Sequence, residues 1–569
     1  MTKEGSNVSA RDGLPMTLLQ VAVACLCSAV APAMAQSAPP PSTATALVAR
    51  AAEALGGVEK VRGIRNVKLS GHGQMAWNLG GEEISGSLHA PLKYQALNDL
   101  TRVYDIEHER YQARERGWQL FPFLAANSYT YSLVDRRLDG DIAFDVSYPV
   151  VQGMNVSNNT EPRRISQNGA ALFPDSVHVR RMALYTNPVA LVRAMLDPQS
   201  SVSTPRIEGK YIVADVTLKQ GDRISVGFSN PSQYCQATCA YLPGFVRWSM
   251  PNPNFGESLF TTWLTGYGDV DGLLLPFGLD THVDFHDTDW YRLYVDHYDV
   301  NTAIEDLSAP AAVKALPVPP DAPTRPVTAE KIADHLWRLA PSGTTVIEFQ
   351  DHITLFEIDA PPVQAKAAID FANTLVPGKK ATQVIASHEH LDHVVGLRQA
   401  VAMGLEVISR RPNGELFQEM IEHPAPNYPD DLARSPQPLR LIGVDEKLVL
   451  SDSLMTVWVL WTRNNIHMID SVVAYAPKQK VIMEGDVATA AYAWNNWGDN
   501  FRDVIDYYKL DVKLDSPVHS VWPEHPGVLT LEQVDELVKG GVMRARQNCE
   551  DWKAKGIYNV SCPIFSKRY

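Results

Sequence analysis

Ten residues, Ser387 to Gly396, constrain the fold and chemistry of this chain more than any other stretch; they read S-H-E-H-L-D-H-V-V-G. Four of them are residue types that bind metal ions: His388, His390, Asp392 and His393. The apolar run that ends at Ala386 predicts a strand, and the residues from Val394 to Met403 predict a helix. Imidazole and carboxylate groups are ligands of zinc and similar divalent metals, so this loop predicts a metal site.

Three further ligand-type residues follow strand-like runs later in the chain. His467 and Asp486 each come shortly after an apolar run, and His525 lies in P-E-H-P-G. Since α/β domains place functional side chains where strands end, these residues are predicted to join the first four. His519 competes with His525, and the Pro-Gly and helical pattern after His525 favour His525.

The region from about 327 to 545 resembles the metallo-β-lactamase superfamily of metallohydrolases. Residues 388–393 fit its H-x-H-x-D-H signature, and the later ligand-type residues follow in the family's order and usual spacing, although Ser387 replaces the frequent Thr and the segment before the last ligand is unusual. The resemblance implies three ligands for a first metal, three for a second, and one bridging ligand. In that order these are His388, His390 and His467; Asp392, His393 and His525; and Asp486.

This resemblance also implies a fold and a reaction. The expected fold class is α/β, an αββα metallo-β-lactamase-like sandwich preceded by an antiparallel β-rich domain. The expected cofactors are two divalent metal ions, with zinc favoured, that share a hydroxide. Asp392 and Asp486 would act as the catalytic carboxylates that balance the metal charge and orient that hydroxide.

The expected function is therefore metal-dependent hydrolysis of an ester, lactone or amide. Hydrolysis of a sulfate or phosphate ester is the next alternative. A non-hydrolytic iron member of the same fold would use one metal, and the full set of second-site ligands argues against it. A fourth alternative is an envelope binding protein whose N-terminal sheet holds a hydrophobic ligand.

The N-terminus predicts export. Basic residues precede an apolar stretch from Met16 to Val30, and Ala33-Met34-Ala35 fits the small-x-small pattern of signal-peptide cleavage. Residues 1–35 are therefore predicted to be a signal peptide, and the mature protein to be periplasmic or secreted. The apolar stretch is too short to favour a stable membrane span. Whether Met1 or Met16 is the true start stays open.

Four cysteines follow the predicted signal peptide: Cys235, Cys239, Cys549 and Cys562. Their even number and local pairing predict two small-loop disulfides in an oxidising compartment. A metal knuckle at Cys235-x3-Cys239 is the alternative, but no second pair or histidine lies near it.

Residues 36–307 predict an antiparallel β-rich domain. Alternating apolar residues from Ile212 to Leu218 and from Ile224 to Phe228 flank Gln220-Gly221-Asp222 and predict a hairpin. One helix, near Pro188 to Leu196, is predicted to interrupt the strands. The segments "AAEALGGVEKVRGIRNVKLSGHG" and "GYGDVDGLLLPFGLDT" are loosely similar to bacterial lipoprotein-carrier-like envelope domains. This similarity implies one of three roles: binding a hydrophobic ligand, shaping the entrance to the active site, or dimerisation.

A domain boundary is predicted at residues 308–326, where prolines favour extended backbone and argue against helix or central strand. Residues 327–569 then alternate between strand-like and helical patterns, which is typical of a layered α/β domain. A chain of 569 residues is long enough for two or three such domains.

Composition limits the partners. The net charge is −14 and no basic run occurs, so nucleic acid is not an expected partner. Tyr492, Trp494 and Trp497 follow Asp486 and predict a small-molecule substrate with an aromatic or apolar portion, with ordinary packing as the alternative. The oligomeric state stays open.

One weaker metal candidate lies in the N-terminal domain. His282, Asp284 and His286 alternate along a predicted strand, so their side chains would share one face. No fourth ligand is apparent, and a solvated strand face is the favoured interpretation.

Overall fold

The computed structural model describes most of the chain after residue 40. The described ranges are 41–76, 85–90, 94–119, 132–152, 155–169, 175–231, 240–285, 288–465, 467–487, 497–519 and 527–556. Across these ranges, no helix has both the length and the apolarity needed to cross a membrane.

One antiparallel sheet of fifteen strands occupies the first part of the chain. Its order is β6-β5-β4-β3-β2-β1-β15-β14-β13-β12-β11-β10-β8, with β7 paired to β5 and β9 to β10. The predicted hairpin is confirmed as β10 and β11, in which Val216 pairs with Ile224. The strands are β1 (Asn66–Ala76), β2 (Tyr94–Asp105), β3 (Arg110–Gln119), β4 (Ser132–Asp139), β5 (Ile142–Gln152), β6 (Asn155–Asn159), β7 (Arg163–Arg164), β8 (Ser201–Val202), β9 (Arg206–Glu208), β10 (Tyr211–Thr217), β11 (Arg223–Ser229), β12 (Pro243–Asn252), β13 (Gly256–Val270), β14 (Leu273–Val283) and β15 (Thr288–Val300).

Four helices pack against this sheet and share its hydrophobic core. They are α1 (Ala44–Leu55), α2 (Val58–Gly63), α3 (Val177–Tyr185) and α4 (Pro188–Met195). Asn187 caps α4 by accepting hydrogen bonds from the backbone N–H groups of Val189 and Ala190, and Pro188 suits the first turn. The predicted helix near Pro188 to Leu196 is confirmed as α4. A second helix, α3, also interrupts the strands and was not predicted, because two buried arginines, Arg180 and Arg181, break its apolar pattern and are neutralised by ion pairs.

The second part of the chain contains a seven-stranded and a six-stranded sheet, each with its strands in sequence order. In the first sheet β19 to β22 are parallel, while β16 to β19 are antiparallel. The seven strands are β16 (Thr328–Ala333), β17 (Leu336–Ala340), β18 (Thr345–Glu348), β19 (Ile353–Phe356), β20 (Ala381–Ile385), β21 (Glu406–Arg410) and β22 (Leu441–Val444). The six are β23 (Lys447–Ser451), β24 (Thr456–Trp461), β25 (Val472–Ala476), β26 (Val481–Glu484), β27 (Leu514–Pro517) and β28 (Leu529–Thr530).

A shared hydrophobic cluster joins the two sheets. Apolar side chains such as Ile347 and Phe356 of one sheet pack with Val457 and Met483 of the other. The mixed α/β class, mostly β, is therefore confirmed, and the αββα layer order stays a prediction. The remaining helices are α5 (Ala311–Ala315), α6 (Pro362–Leu375), α7 (Leu397–Ala402), α8 (Gly414–Glu422), α9 (Asp431–Arg434), α10 (Trp497–Tyr508) and α11 (Leu531–Ala554).

The segment at 308–326 corrects one expectation. It contains the short helix α5, although its prolines were predicted to argue against helix. Pro310 stands at the N-cap, where a proline removes no helical hydrogen bond, and the following Ala-Ala-Val-Lys-Ala favours helix. The sheets on both sides of this segment belong to one compact unit. The domain boundary itself stays a prediction.

Candidate metal centre

Four strand ends bring candidate ligands to one place. β24 and β26 are both antiparallel to β25, and β27 is parallel to β26, so these three strands end at the same edge of the six-stranded sheet. β20 of the other sheet ends at Ile385, three residues before His388. The side chains that follow the strand ends are His388 after β20, His467 after β24, Asp486 after β26 and His519 after β27.

A first group consists of His388, His390, His467 and Asp486, each with a ligand atom within 4.8 Å of the others. All four side chains are buried. The ring centroids of His388 and His390 lie 4.6 Å apart, and those of His390 and His467 lie 4.3 Å apart. Three imidazoles and one carboxylate are a donor set that suits a divalent metal.

A second group consists of Asp392, His393 and His519, which meet the same distance limit. His393 Nε2 lies 3.1 Å from His519 Nε2. Asp392 Oδ2 lies 3.6 Å from His519 Nε2 and 3.9 Å from His393 Nε2.

Asp486 lies between the two groups. Its Oδ2 atom is 3.1 Å from His467 Nε2 in the first group. Its Oδ1 atom is 3.3 Å from His393 Nε2 and 3.5 Å from His519 Nε2 in the second. One carboxylate therefore presents one oxygen to each group.

The last predicted ligand is not among these residues. His525 lies outside the described residues, and the structure brings its competitor His519 to the second group. β27, which ends two residues before His519, was not identified in the sequence. Had that strand been recognised, its short spacing to His519 would have matched the spacing from β26 to Asp486.

Oxygen atoms face the outward nitrogens of three histidines. Glu357 Oε2 lies 2.8 Å from His393 Nδ1, and Ser387 Oγ lies 2.7 Å from His388 Nδ1. Asp359 Oδ2 lies 3.7 Å from His519 Nδ1. A partner at Nδ1 fixes the ring and leaves Nε2 directed into the cluster, as in metal sites.

Glu357 and Asp359 were not predicted as site residues. Glu357 directly follows the buried strand β19 and has no exposed surface, and Asp359 comes two residues after it. An acidic residue at the end of an apolar strand is the same signal that singled out Asp486. It could therefore have identified them.

The electrostatics of the cluster are strongly perturbed. Burial, together with the neighbouring His393, holds the pKa of His388 well below its usual range. Burial opposes protonation of His393 too, but Glu357, Asp486 and Asp392 outweigh it and raise the pKa of His393 well above its usual range. Burial also disfavours the charge on Asp486, yet His393 and His519 hold the pKa of that carboxyl well below its usual range.

The donor atoms fit a metal ion. His388 Nε2 and Asp392 Oδ1 are buried, and neither has a hydrogen-bond partner among the residues described. Buried polar atoms are normally satisfied, so two such atoms directed at one cluster are explained by a ligand that accepts lone pairs. Imidazole nitrogen and carboxylate oxygen favour zinc and similar divalent ions over softer metals.

A cavity of about 500 Å³ adjoins the loop that carries His467. Asn465 lines this cavity and accepts a hydrogen bond from the backbone N–H of His467 at 2.8 Å. Much of the remaining wall is aromatic or aliphatic, from Trp461, Ile469, Val504, Tyr507 and Tyr508. Tyr492 and Trp494 lie outside the described residues.

Among the residues that the structure describes, neither His282 nor Asp284 joins a metal group. His282 Nδ1 lies 3.5 Å from Asp289 Oδ1, and Asp284 accepts a hydrogen bond from the backbone of Leu259. His286 lies outside the described residues, and so do Cys235, Cys239 and Cys562, so both disulfides stay predictions.

Comparison with known proteins finds similar solved structures, each covering only part of this chain. No protein-family model and no curated protein matches the chain. Similar solved structures include a metallo-β-lactamase from Pontibacter korlensis, with 14% identity over 38% of this chain and 99% of that chain and a TM-score of 0.29. A rubredoxin oxygen:oxidoreductase from Desulfovibrio gigas matches at 18% identity over 39% of this chain and 62% of that chain, with a TM-score of 0.29.

A stereoselective inverting sec-alkylsulfatase from Pseudomonas sp. matches at 14% identity over 41% of this chain and 44% of that chain, with a TM-score of 0.29. Of these three neighbours, the first carries the name metallo-β-lactamase. The TM-scores are too low to carry function, which depends on the residues of the centre themselves.

Proposed function

We propose that this protein is an exported metal-dependent hydrolase that cleaves an ester, lactone or amide. Its centre would hold two metal ions, and zinc is the ion to test first. The observation that carries the proposal is the position of Asp486, whose two oxygens face two separate groups of ligand-type side chains. A carboxylate shared in this way is suited to bridge two cations.

Seven side chains would hold the two ions. His388, His390 and His467 would bind the first, Asp392, His393 and His519 the second, and Asp486 both. His519 replaces His525 in this assignment because its Nε2 atom lies beside His393 and Asp392. A divalent ion bound here supplies Lewis acidity and lowers the pKa of water towards neutrality.

The protein's own residues would shape the rest of the chemistry. Asp392 and Asp486 contribute negative charge that would offset the cations, and the Asp392 side chain is more exposed than that of Asp486, at 20% against 8%. Glu357 and Ser387 hold the rings of His393 and His388 from the far side. This arrangement keeps the ligands in place while a substrate enters and leaves.

The substrate is proposed to be a small molecule with an aromatic or apolar portion. The cavity beside Asn465 supports this proposal, because Trp461, Tyr507 and Tyr508 give it an aromatic lining close to the loop of His467. Such pockets bind apolar groups by removing them from water.

The second candidate function is hydrolysis of a sulfate or phosphate ester. Arg463 lines the same cavity and lies with its guanidinium carbon 5.2 Å from the Trp461 ring and 4.7 Å from the Tyr507 ring. A guanidinium group held in this way is able to pair with an oxyanion. The position of Arg463 therefore supports a substrate that carries a negatively charged sulfate or phosphate group.

The test is a substrate screen of the full mature chain loaded with zinc. The screen contains aryl esters, lactones, β-lactams, amides and aryl sulfate and phosphate esters. His388→Ala is the inactive variant, and His352→Ala is the matched control, because His352 pairs with Asp351 away from the centre. Turnover by wild type and His352→Ala, and its loss in His388→Ala, is the expected result; metal-loaded protein that turns over no class contradicts the proposal.

A further inference from the structure

A turn of the N-terminal sheet contacts the metal-binding loop directly. The turn, residues 252–256, connects β12 to β13. The Asn254 side-chain amide donates a hydrogen bond of 2.7 Å to the carbonyl oxygen of Leu391, and Asn254 is only 1% exposed. Leu391 stands between His390 of the first group and Asp392 of the second.

Local hydrogen bonds shape this turn before it meets the loop. Asn252 Oδ1 accepts from the backbone N–H groups of Asn254 at 2.8 Å and Phe255 at 3.1 Å. The Asn252 amide donates to Ser258 Oγ at 2.7 Å. An asparagine that bonds the backbone two residues ahead fixes a turn, so the direction of Asn254 is set within its own hairpin.

Close packing holds the turn in place. Phe255 is fully buried, with its ring centroid 4.3 Å from that of Phe285 and 5.4 Å from that of His423. Gly256 has φ +79°, and a Cβ atom at this position would lie 2.8 Å from Arg398 Nη2. A side chain at 256 would therefore strain the backbone, and either the turn or the Arg398 guanidinium would have to shift.

Polar contacts on either side add to this attachment. Glu257 accepts hydrogen bonds of 2.7 Å from both the backbone and the side-chain amide of Asn427. A second N-terminal segment contributes Ser85, whose hydroxyl donates to Asp470 Oδ2 at 2.6 Å. Asp470 is three residues after His467, so two segments of the N-terminal region contact loops that carry candidate ligands.

From these contacts we infer that Asn254 is a positioning residue of the metal centre, and the inference rests on the proposed metal site. The hydrogen bond fixes the peptide group that joins Leu391 to Asp392, and with it the relative direction of His390 and Asp392, one ligand from each group. A buried carbonyl that loses its donor turns towards another partner, which would move both ligands. The N-terminal sheet would thus help to position the metal ligands, whether or not it also binds a ligand of its own.

The test compares Asn254→Asp with Asn66→Asp in the full mature chain. Asn66 is a matched control, because it is 7% exposed, lies in the same sheet and donates its amide to the carbonyl of Thr302 at 3.1 Å, away from the centre. An ionised aspartate has no hydrogen to donate in either place. Zinc affinity is measured by competition with a chromophoric chelator, and thermal stability is measured on the metal-free proteins.

Both variants are expected to melt at a lower temperature than wild type. Only Asn254→Asp is expected to bind zinc about 10- to 100-fold more weakly, the usual effect of removing a group that orients metal ligands. Equal zinc affinity in the two variants would overturn the inference while leaving the metal site intact. A wild-type chain that binds no zinc would overturn the proposed function as well. If Asn254→Asp does not fold, Asn254→Ala takes its place in the comparison with Asn66→Asp. The expected result and the contradicting result stay the same.

Discussion

Glu357 accepts a hydrogen bond from His393, with 2.8 Å between Oε2 and Nδ1 and no exposed surface on either side chain. The Glu357 carboxylate contacts Nδ1 of His393 and so favours the ring orientation in which Nε2 faces Asp486. It also adds a negative charge close to the cations that the centre is proposed to hold. Glu357 therefore connects the core of the seven-stranded sheet to the second metal group.

Replacing this carboxylate tests that connection. Glu357→Gln keeps the size of the side chain but removes its charge, so the second metal is expected to bind about 10- to 100-fold more weakly. Isothermal titration of the metal-free protein with zinc resolves the two binding steps. Glu348→Gln is the control, because Glu348 also pairs with a histidine, His335, at 2.8 Å but away from the centre. Equal weakening in both variants would contradict a specific role for Glu357.

His519 and His525 can be separated in the same way. His519→Ala is expected to lose about half of the bound metal. The Nε2 atom of His519 lies 3.1 Å from His393 Nε2, 3.6 Å from Asp392 Oδ2 and 3.5 Å from Asp486 Oδ1. His525→Ala is expected to keep both ions. Metal analysis after dialysis gives the answer, and the reverse result would restore His525 as the ligand.

The assignment of His519 shows where sequence reasoning reached its limit. Residues 388–393 could be recognised because four ligand-type residues fall within six positions, where local spacing alone brings them together. His519 is 126 residues from His393, and its place depends on where β27 ends. That strand has only four residues, Leu514–Pro517, and includes the buried Asp515 and Ser516, so it lacks an apolar pattern.

The large elements were more predictable than the contacts between them. The hairpin of β10 and β11 follows from strict alternation, and α4 lies where a helix was predicted from Pro188 onwards. The bond from Asn254 to Leu391 joins residues that are 137 positions apart. No periodicity records such a pair, because a single buried amide leaves no repeating pattern in the sequence.

Acid stability should depend on a buried carboxylate of the N-terminal sheet. Burial disfavours the charged form of Glu115, but Arg102 and Arg136 outweigh this effect and lower the pKa of Glu115 to about 2 from 4.5. A depressed pKa means that the charged group stabilises the folded state above pH 4.5 and that this contribution is lost as the pH falls through about 2.

The measurement is the free energy of unfolding of wild type and Glu115→Gln as the pH is lowered. Wild type is expected to be the more stable protein at neutral pH, with a difference that shrinks below about pH 4.5. Glu53→Gln on the exposed side of α1 serves as the control and should show no such trend. A difference that stays constant with pH would contradict this role of Glu115.

The aromatic cavity predicts a change in substrate affinity without a change in metal content. Tyr507→Ala removes one aromatic wall, and loss of an aromatic contact worth about 0.5–1.5 kcal/mol raises KM about two- to tenfold for aryl substrates. Steady-state kinetics with aryl and small aliphatic substrates of one class make the comparison. Tyr294→Ala is the control, because Tyr294 is 50% exposed against 49% for Tyr507 and lies on the N-terminal sheet. An unchanged KM for aryl substrates would place the substrate elsewhere.

The metal content of wild type and Asp486→Ala tests the central claim most directly, because Asp486 presents one oxygen to each group. Inductively coupled plasma mass spectrometry of the full mature chains, purified with zinc and dialysed, counts the ions and identifies them. The account predicts about two zinc ions per wild-type chain and a loss from both sites in Asp486→Ala. One ion per wild-type chain, or iron in place of zinc, or an Asp486→Ala chain that keeps both ions, would contradict it.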